Sequence, residues 1–230
     1  MDLKLDQKKD IGLYLIFADG SEIALTKTLI TKCANDFLSD PEKVPQNVKA
    51  AAHYGRCAIC PMSHEEGPCH AIYPTFPFRD ILDKYTSFDN VIAIYKDSKK
   101  QSFQINHTTM QNALLYIVNI SLFQYCEVGS RYANYYKNIS PLDDFKVIVN
   151  KIFLNAYFEH GGNTQEIENI IMTINSDITV TTHCQLNKLR LINNKDALIN
   201  AFVKGQTITE YLKMQVSNHF AQQCEDAAQL

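Results

Sequence analysis

Two spacings of apolar residues divide the chain. In IGLYLIFADGSEIAL, from Ile11 to Leu25, two β-rich runs flank Asp19-Gly20, a pair that tight hairpin turns favour because both residues tolerate positive φ. NVIAIYK and QSFQI repeat the arrangement around the polar turn DSKK. From Thr108 onward the spacing changes to threes and fours. HTTMQNALLYIVNISLFQYCEV puts Leu114, Leu115, Val118 and Leu122 on one helical face, with Thr108 or Thr109 as caps. SPLDDFKVIVNKIFLNAYFEHGG predicts a helix with Ser140 at N-cap and Pro141 at N1. Its core stripe is Phe145, Ile148, Ile152, Phe153 and Tyr157, and His160 precedes the exit at Gly161-Gly162. A third helix opens on Thr164, and one or two more end the chain, with Gly205 as a break between them. Between the hairpins, KTLITKCANDFLS reads as a strand end or a short helix, and FRDILDKYTSF as a short helix.

Strands, a loop, strands and then helices predict an α+β fold: a small antiparallel sheet of two hairpins followed by a C-terminal helical bundle. Residues 1–106 form the mainly β part, with a cysteine-rich loop at 56–77, and residues 107–230 the helical part of one compact unit. At 230 residues and 46% hydrophobic the chain is long enough for a substantial core. A formal charge of −3 carries no basic excess for nucleic acid. MDLKLDQKKDIG lacks the apolar segment of a secretory signal. NALLYIVNISLF, the best apolar run, is too short for a membrane helix and is interrupted by Asn119 and Ser121. A cytoplasmic protein is expected, in which the sequons at Asn106, Asn119 and Asn138 mean nothing. A protein partner or self-association is compatible with this composition; membrane binding is not expected.

RCAICPMSHEEGPCHA, residues 56–71, changes the picture. It holds Cys57, Cys60, Cys69, His64 and His70, and Pro61, Pro68, Pro74 and Pro77 make regular structure across 60–77 unexpected. A long loop in a compact domain needs something to organise it, and metal ligation is one such organiser. Cys57-x-x-Cys60 turns two sulfurs toward one point, the geometry shared by zinc and iron–sulfur sites. Cys69 is close enough to join them. Three thiolates do not close a structural site, and the residues alone leave His64, His70 and Cys126 as equal candidates for the fourth ligand. Three cysteines with a histidine, or four cysteines, suit zinc; four cysteines suit a 4Fe-4S cluster, for which Cys60-Pro61 is a weak pointer. A thiol redox pair ranks lower, because no helix clearly follows the knuckle to lower a thiol pKa. Incidental thiols rank last. Cys33, Cys126, Cys184 and Cys224 read individually as small buried hydrophobes; Arg56 and Arg79 could compensate the charge of a four-thiolate centre but read first as solvated surface charges.

LYLIFADGSEIAL, CAICPM…C and the helix reaching Cys126 in FQYCEVGSRYANYY together resemble an uncharacterised bacterial family of unknown function. That family has an FADG hairpin, a Cys-x-x-Cys-Pro-Leu/Met…Cys loop and a cysteine at the end of the following helix. Met62 stands where Leu is commoner, and His70 where Pro is usual, which counts against His70. The resemblance covers most of the chain in order and implies Cys126 as the fourth ligand beside Cys57, Cys60 and Cys69. The four sulfurs are then expected to converge on one point and staple the sheet half to the helical half. The resemblance implies no activity.

Other constellations are bland. His183 and Cys184 are sequence neighbours on a helix and do not face each other, which disfavours a catalytic pair. Arg131, Tyr132, Tyr135, Tyr136 and Lys137 read as packing. No phosphate loop, nucleophile elbow or zinc-protease motif occurs. The expected function is therefore that of a non-enzymatic metal-binding protein with a structural zinc centre, supporting an interaction or regulatory role. The alternative is an iron–sulfur protein in electron transfer, sensing or catalysis.

Overall fold

The computed structural model describes residues 11–62, 67–78, 83–97, 102–192 and 195–228, the side chains of 102 and 218–228 excepted. Four strands, β1 (Gly12–Ile16), β2 (Glu22–Thr26), β3 (Asn90–Asp97) and β4 (Ser102–Thr109), form one antiparallel sheet in the order β2-β1-β3-β4. The first turn forms as Asp19-Gly20 predicts. Gly20 takes φ +81, while Asp19 Oδ1 accepts the Ser21 N–H at 2.8 Å and its hydroxyl at 2.6 Å. The central strand β1 is buried on both faces, as alternation requires of an inner strand with two apolar sets. Leu13 and Leu15 enter the main core, whereas Tyr14 and Ile16 join Ile94 in a smaller cluster on the opposite face.

Seven helices occur among the described residues: α1 (Lys27–Ser39), α2 (Gln46–His53), α3 (Met110–Ala113), α4 (Leu115–Tyr125), α5 (Phe145–Glu159), α6 (Thr164–Leu189) and α7 (Ala197–Ala228). One core runs continuously from Leu13 in β1 to Val216 in α7, so the sheet and the helices share a single apolar interior. Its centre is α4, whose residues Leu115 to Val118 and Ile120 to Phe123 are all buried. Among the described residues no helix is long and apolar enough to cross a membrane.

Local details differ from expectation where packing or a competing cap decides. Residues 27–39 are helical, with Thr26 Oγ1 accepting the Leu29 N–H at 3.2 Å. The α5 helix starts at Phe145 rather than Pro141, because Asp144 takes the cap and accepts the Val147 N–H at 2.9 Å. Ser140 and Asp143 close a separate turn before it. Tyr157, expected in the core stripe of this helix, is 45% exposed. Asn163, not Thr164, caps α6. Gly205 does not break α7; its Cβ position lies 3.4 Å from Val118, so a side-chain methyl would also fit there. Part of the helix expected in FRDILDKYTSF, at 79–82, lies outside the described residues, and Asp83 and Lys84 form a turn. Regular structure does occur in the proline-rich loop. His70–Phe78 is a 3-10 helix that contains Pro74 and Pro77 and buries Ala71, Ile72, Tyr73, Thr75 and Phe78. Proline φ suits this conformation, and burial against α1 and α4 holds it.

Candidate metal centre

Four separate pieces of backbone bring cysteines to one place. After α2, Gly55 at φ +56 takes a left-handed turn that a side chain would strain. Lys188 Nζ on α6 donates to the carbonyls of Tyr54 and of Gly55, the latter at 2.7 Å, which fixes the approach to the loop. The Cys60 N–H then donates to Cys57 O at 2.9 Å, closing the knuckle that the Cys-x-x-Cys spacing predicts. Cys69 re-enters beside α2, its N–H on Ala52 O at 2.9 Å. Cys126 is the residue at which α4 ends. Its sulfur accepts the Gly129 N–H at 3.5 Å and the Val128 N–H. That turn demands glycine, since a Cβ on Gly129 would stand 2.3 Å from Leu122 O.

The sulfurs of Cys57, Cys60, Cys69 and Cys126 line a cavity of about 20 Å³. His70 lines it too, with its pKa lowered, chiefly by burial. His64 lies outside the described residues. A fifth thiol, Cys184 of α6, also faces the cavity and shares a hydrogen bond with Cys57. The reading of Cys126 and Cys184 as isolated buried thiols is therefore corrected, although neither is paired in a disulfide. Sequence spacing hides Cys184, which is remote from the loop and beside a histidine that does not face it. The available signal was the pattern Cys184-Gln185-x-x-Lys188, three polar residues on the inward face of a core helix. Gln185 and Lys188 are both fully buried.

Arg56 likewise is not a free surface charge. Its Nη1 reaches Cys60 Sγ at 4.0 Å and Met62 Sδ at 3.8 Å, and its Nη2 is buried without a hydrogen-bond partner among the described residues. Gln185 Nε2 donates to Cys69 Sγ at 3.3 Å. Burial pushes the Cys126 thiol up to about 11. Burial also raises Cys69, against the Gln185 hydrogen bond and the Lys188 charge. Within the pair, Cys57 is raised, first by its hydrogen bond to Cys184 and then by burial. Cys184 is lowered to about 7 by the same hydrogen bond, opposed by burial and assisted by Lys188 and Arg56. Within the shared hydrogen bond Cys57 donates and Cys184 accepts.

No family model, curated protein or solved structure matches the chain.

The five thiols ring the cavity rather than meeting at one point. Among the described residues, no three or more His, Cys, Asp or Glu side chains are grouped so as to hold a metal ion as they stand. The expected convergence of sulfurs is corrected to that extent. Neutral thiols pack at van der Waals separation, whereas ligating thiolates are drawn in by the charge that they share. The surroundings nonetheless suit anionic sulfur: N–H groups aim at Cys69 and Cys126, and no described carboxylate pairs with the fully buried Lys188. The Tyr132 and Tyr135 side chains are buried, with Tyr132 hydrogen-bonded to Asp177 and Tyr135 to His160 at 3.0 Å, so this aromatic group packs.

Proposed function

We propose that the chain is a metal-binding protein in which the cysteine centre holds one zinc ion and joins the loop at 54–71 to the ends of α4 and α6. The observation that carries this reading is a charge match. A buried cation without a counter-ion is costly, and among the described residues Lys188 meets two backbone carbonyls and the sulfurs of Cys69 and Cys184. Four thiolates on a divalent ion leave two negative charges, which Lys188 and Arg56 balance.

Cavity size favours a single ion over a cluster. About 20 Å³ is little more than one water-sized species occupies, and a tetrahedral ion about 2.3 Å from each sulfur spaces the sulfurs about 3.8 Å apart. That separation is close to thiol packing contact, so loading tightens the ring without rebuilding it. A thiol centre of this kind belongs in a reducing compartment such as the cytoplasm. Its role is structural, supporting an interaction or regulatory surface rather than catalysis.

The test is anaerobic purification followed by metal analysis and a visible spectrum. One zinc per chain in a colourless protein is expected. A brown protein with iron and labile sulfide would replace zinc by an iron–sulfur cluster. A metal-free protein whose Cys57, Cys60 and Cys69 alkylate readily in the folded state would overturn both.

A further inference from the structure

Five thiols surround a cavity where a tetrahedral ion takes four, so one of them is not an equilibrium ligand. Their arrangement distinguishes them. Cys57 shares a hydrogen bond with Cys184 and lies within electrostatic reach of Cys69 and Cys126. Cys69 in turn faces Cys184, and Cys126 faces Cys69. These four sulfurs form a closed ring of neighbours. Cys60 stands toward Cys126 and toward Arg56, whose Nη1 is 4.0 Å from its sulfur, and its link to Cys57 runs through the backbone, Cys60 N–H to Cys57 O at 2.9 Å.

The wall behind Cys184 is built from buried, hydrogen-bonded side chains. One turn of α6 supplies Cys184, the Gln185 amide on Cys69 at 3.3 Å, and Lys188, which pins Gly55 O at 2.7 Å two residues before Cys57. Hydrogen bonds of this kind orient ligands and typically govern metal affinity by factors of about 10 to 100. Among the described residues, the side-chain donor on the Cys60 sulfur is one guanidinium at 4.0 Å.

Resting on the reading of the centre as a zinc site, we propose that Cys184 is a zinc ligand. With Cys57, Cys69 and Cys126 it completes the inner set, and Cys60 is the outer thiol through which zinc is delivered and released. In that exchange a Cys60 thiolate–zinc bond breaks as a Cys184 thiolate–zinc bond forms. The proton lost by Cys184 is taken up by Cys60, so charge at the ion is conserved.

The experiment compares wild type, Cys184→Ser and Cys60→Ser by competition with a chromophoric chelator, measuring both zinc affinity and the rate of zinc transfer. Cys184→Ser is expected to lose at least about tenfold in affinity. Cys60→Ser is expected to keep affinity within about threefold while zinc transfer slows. Cobalt replacing zinc supplies a second readout: the sulfur-to-cobalt absorption should fall by about a quarter in Cys184→Ser, one thiolate in four, and remain unchanged in Cys60→Ser. Should Cys184→Ser fail to fold, Cys184→His keeps a ligating group, and a cobalt spectrum shifted toward mixed sulfur–nitrogen ligation reports the position directly. Wild-type affinity and cobalt spectrum in Cys184→Ser, with loss in Cys60→Ser, would overturn the assignment and leave the zinc reading intact. A wild type that takes up neither zinc nor cobalt overturns the zinc reading itself.

Discussion

Two of the cavities beside α4 differ in every respect that matters for function. The larger, about 440 Å³, lies along the helix and is lined by Tyr95, Tyr116, Asn119, Phe123, Tyr136 and Lys137 among others. The smaller, about 20 Å³, lies at the helix end and is lined by five thiols. Of these two, volume favours the first, since about 300 to 1,000 Å³ is the usual range for small-molecule sites. Its chemistry is mixed, however: exposed lysines at the rim, aromatic walls and scattered amides. The small cavity concentrates one kind of donor, with amide hydrogens and two cations aimed at it. A site is recognised by convergence of matched chemistry, and space is secondary.

The sharpest way to break that comparison is to remove one donor from each cavity. Cys57→Ser deletes the sulfur with the most thiol neighbours and is expected to abolish stoichiometric metal binding. A loss of about 3 kcal/mol in a chain of this size lowers Tm by roughly 6–12 °C, readable by calorimetry of metal-loaded protein. Asn119→Ala in the large cavity should leave metal content unchanged. Equal metal loss in both variants would show that the two cavities do not behave independently.

Backbone geometry gives the next largest effect. Gly129→Ala forces a Cβ to within 2.3 Å of Leu122 O, so the turn that presents an N–H to Cys126 must open. A cost of about 2–4 kcal/mol is expected, with weaker metal binding. Gly205→Ala offers the contrast: its Cβ meets Val118 at 3.4 Å and Leu115 at 3.9 Å, ordinary packing distances. Inside a helix this substitution should stabilise by about 0.5–1 kcal/mol. Denaturant melts of the two variants should therefore shift in opposite directions.

Charge at the small cavity comes third. Lys188→Met keeps length but removes the buried cation and its hydrogen bonds to Tyr54 and Gly55. Zinc affinity should fall about 10- to 100-fold, measured by chelator competition. Wild-type affinity would mean that the Lys188 charge is not balanced by metal-bound thiolates.

How much of the molecule is legible in its sequence follows the physics of each feature. The hairpins are readable because Asp19-Gly20 and alternating apolar residues act over a few residues. Helix starts are misplaced where two cap residues compete, as at Ser140 and Asp144, since a one-dimensional pattern does not weigh them. The 3-10 helix from His70 to Phe78 is hidden because its prolines argue locally for a loop and only burial makes it regular. At the site, the loop cysteines announce themselves by spacing. Cys126 is one of three candidates until a resemblance singles it out, and Cys184 does not enter at all, because a lone cysteine on a long helix has no local signature. The buried stripe Gln185 and Lys188 beside it becomes meaningful only once α6 is seen to lie against the loop.

The smallest effect tests the large cavity. Tyr116 is 8% exposed, and its hydroxyl is buried without a hydrogen-bond partner among the described residues. An unpaired buried hydroxyl costs about 1–3 kcal/mol, so Tyr116→Phe should be neutral or stabilising by about 1 kcal/mol at pH 7. Burial also raises the phenol above its ordinary range, with the charges near Tyr95, Tyr14 and Asp97 adding to it. A raised pKa in the folded state means that folding favours the neutral phenol. That preference is undiminished below about pH 10, the ordinary tyrosine value, and works against ionisation as pH climbs past it. Because the unfolded chain ionises Tyr116 more readily, wild-type stability should fall there more steeply than that of Tyr116→Phe. Denaturant melts between pH 8 and pH 11 measure the difference. A Tyr116→Phe variant that is destabilised at pH 7 would mean that the hydroxyl has a partner of its own. The large cavity would then contain matched polar chemistry as well as space, and the contrast with the thiol-lined cavity would narrow.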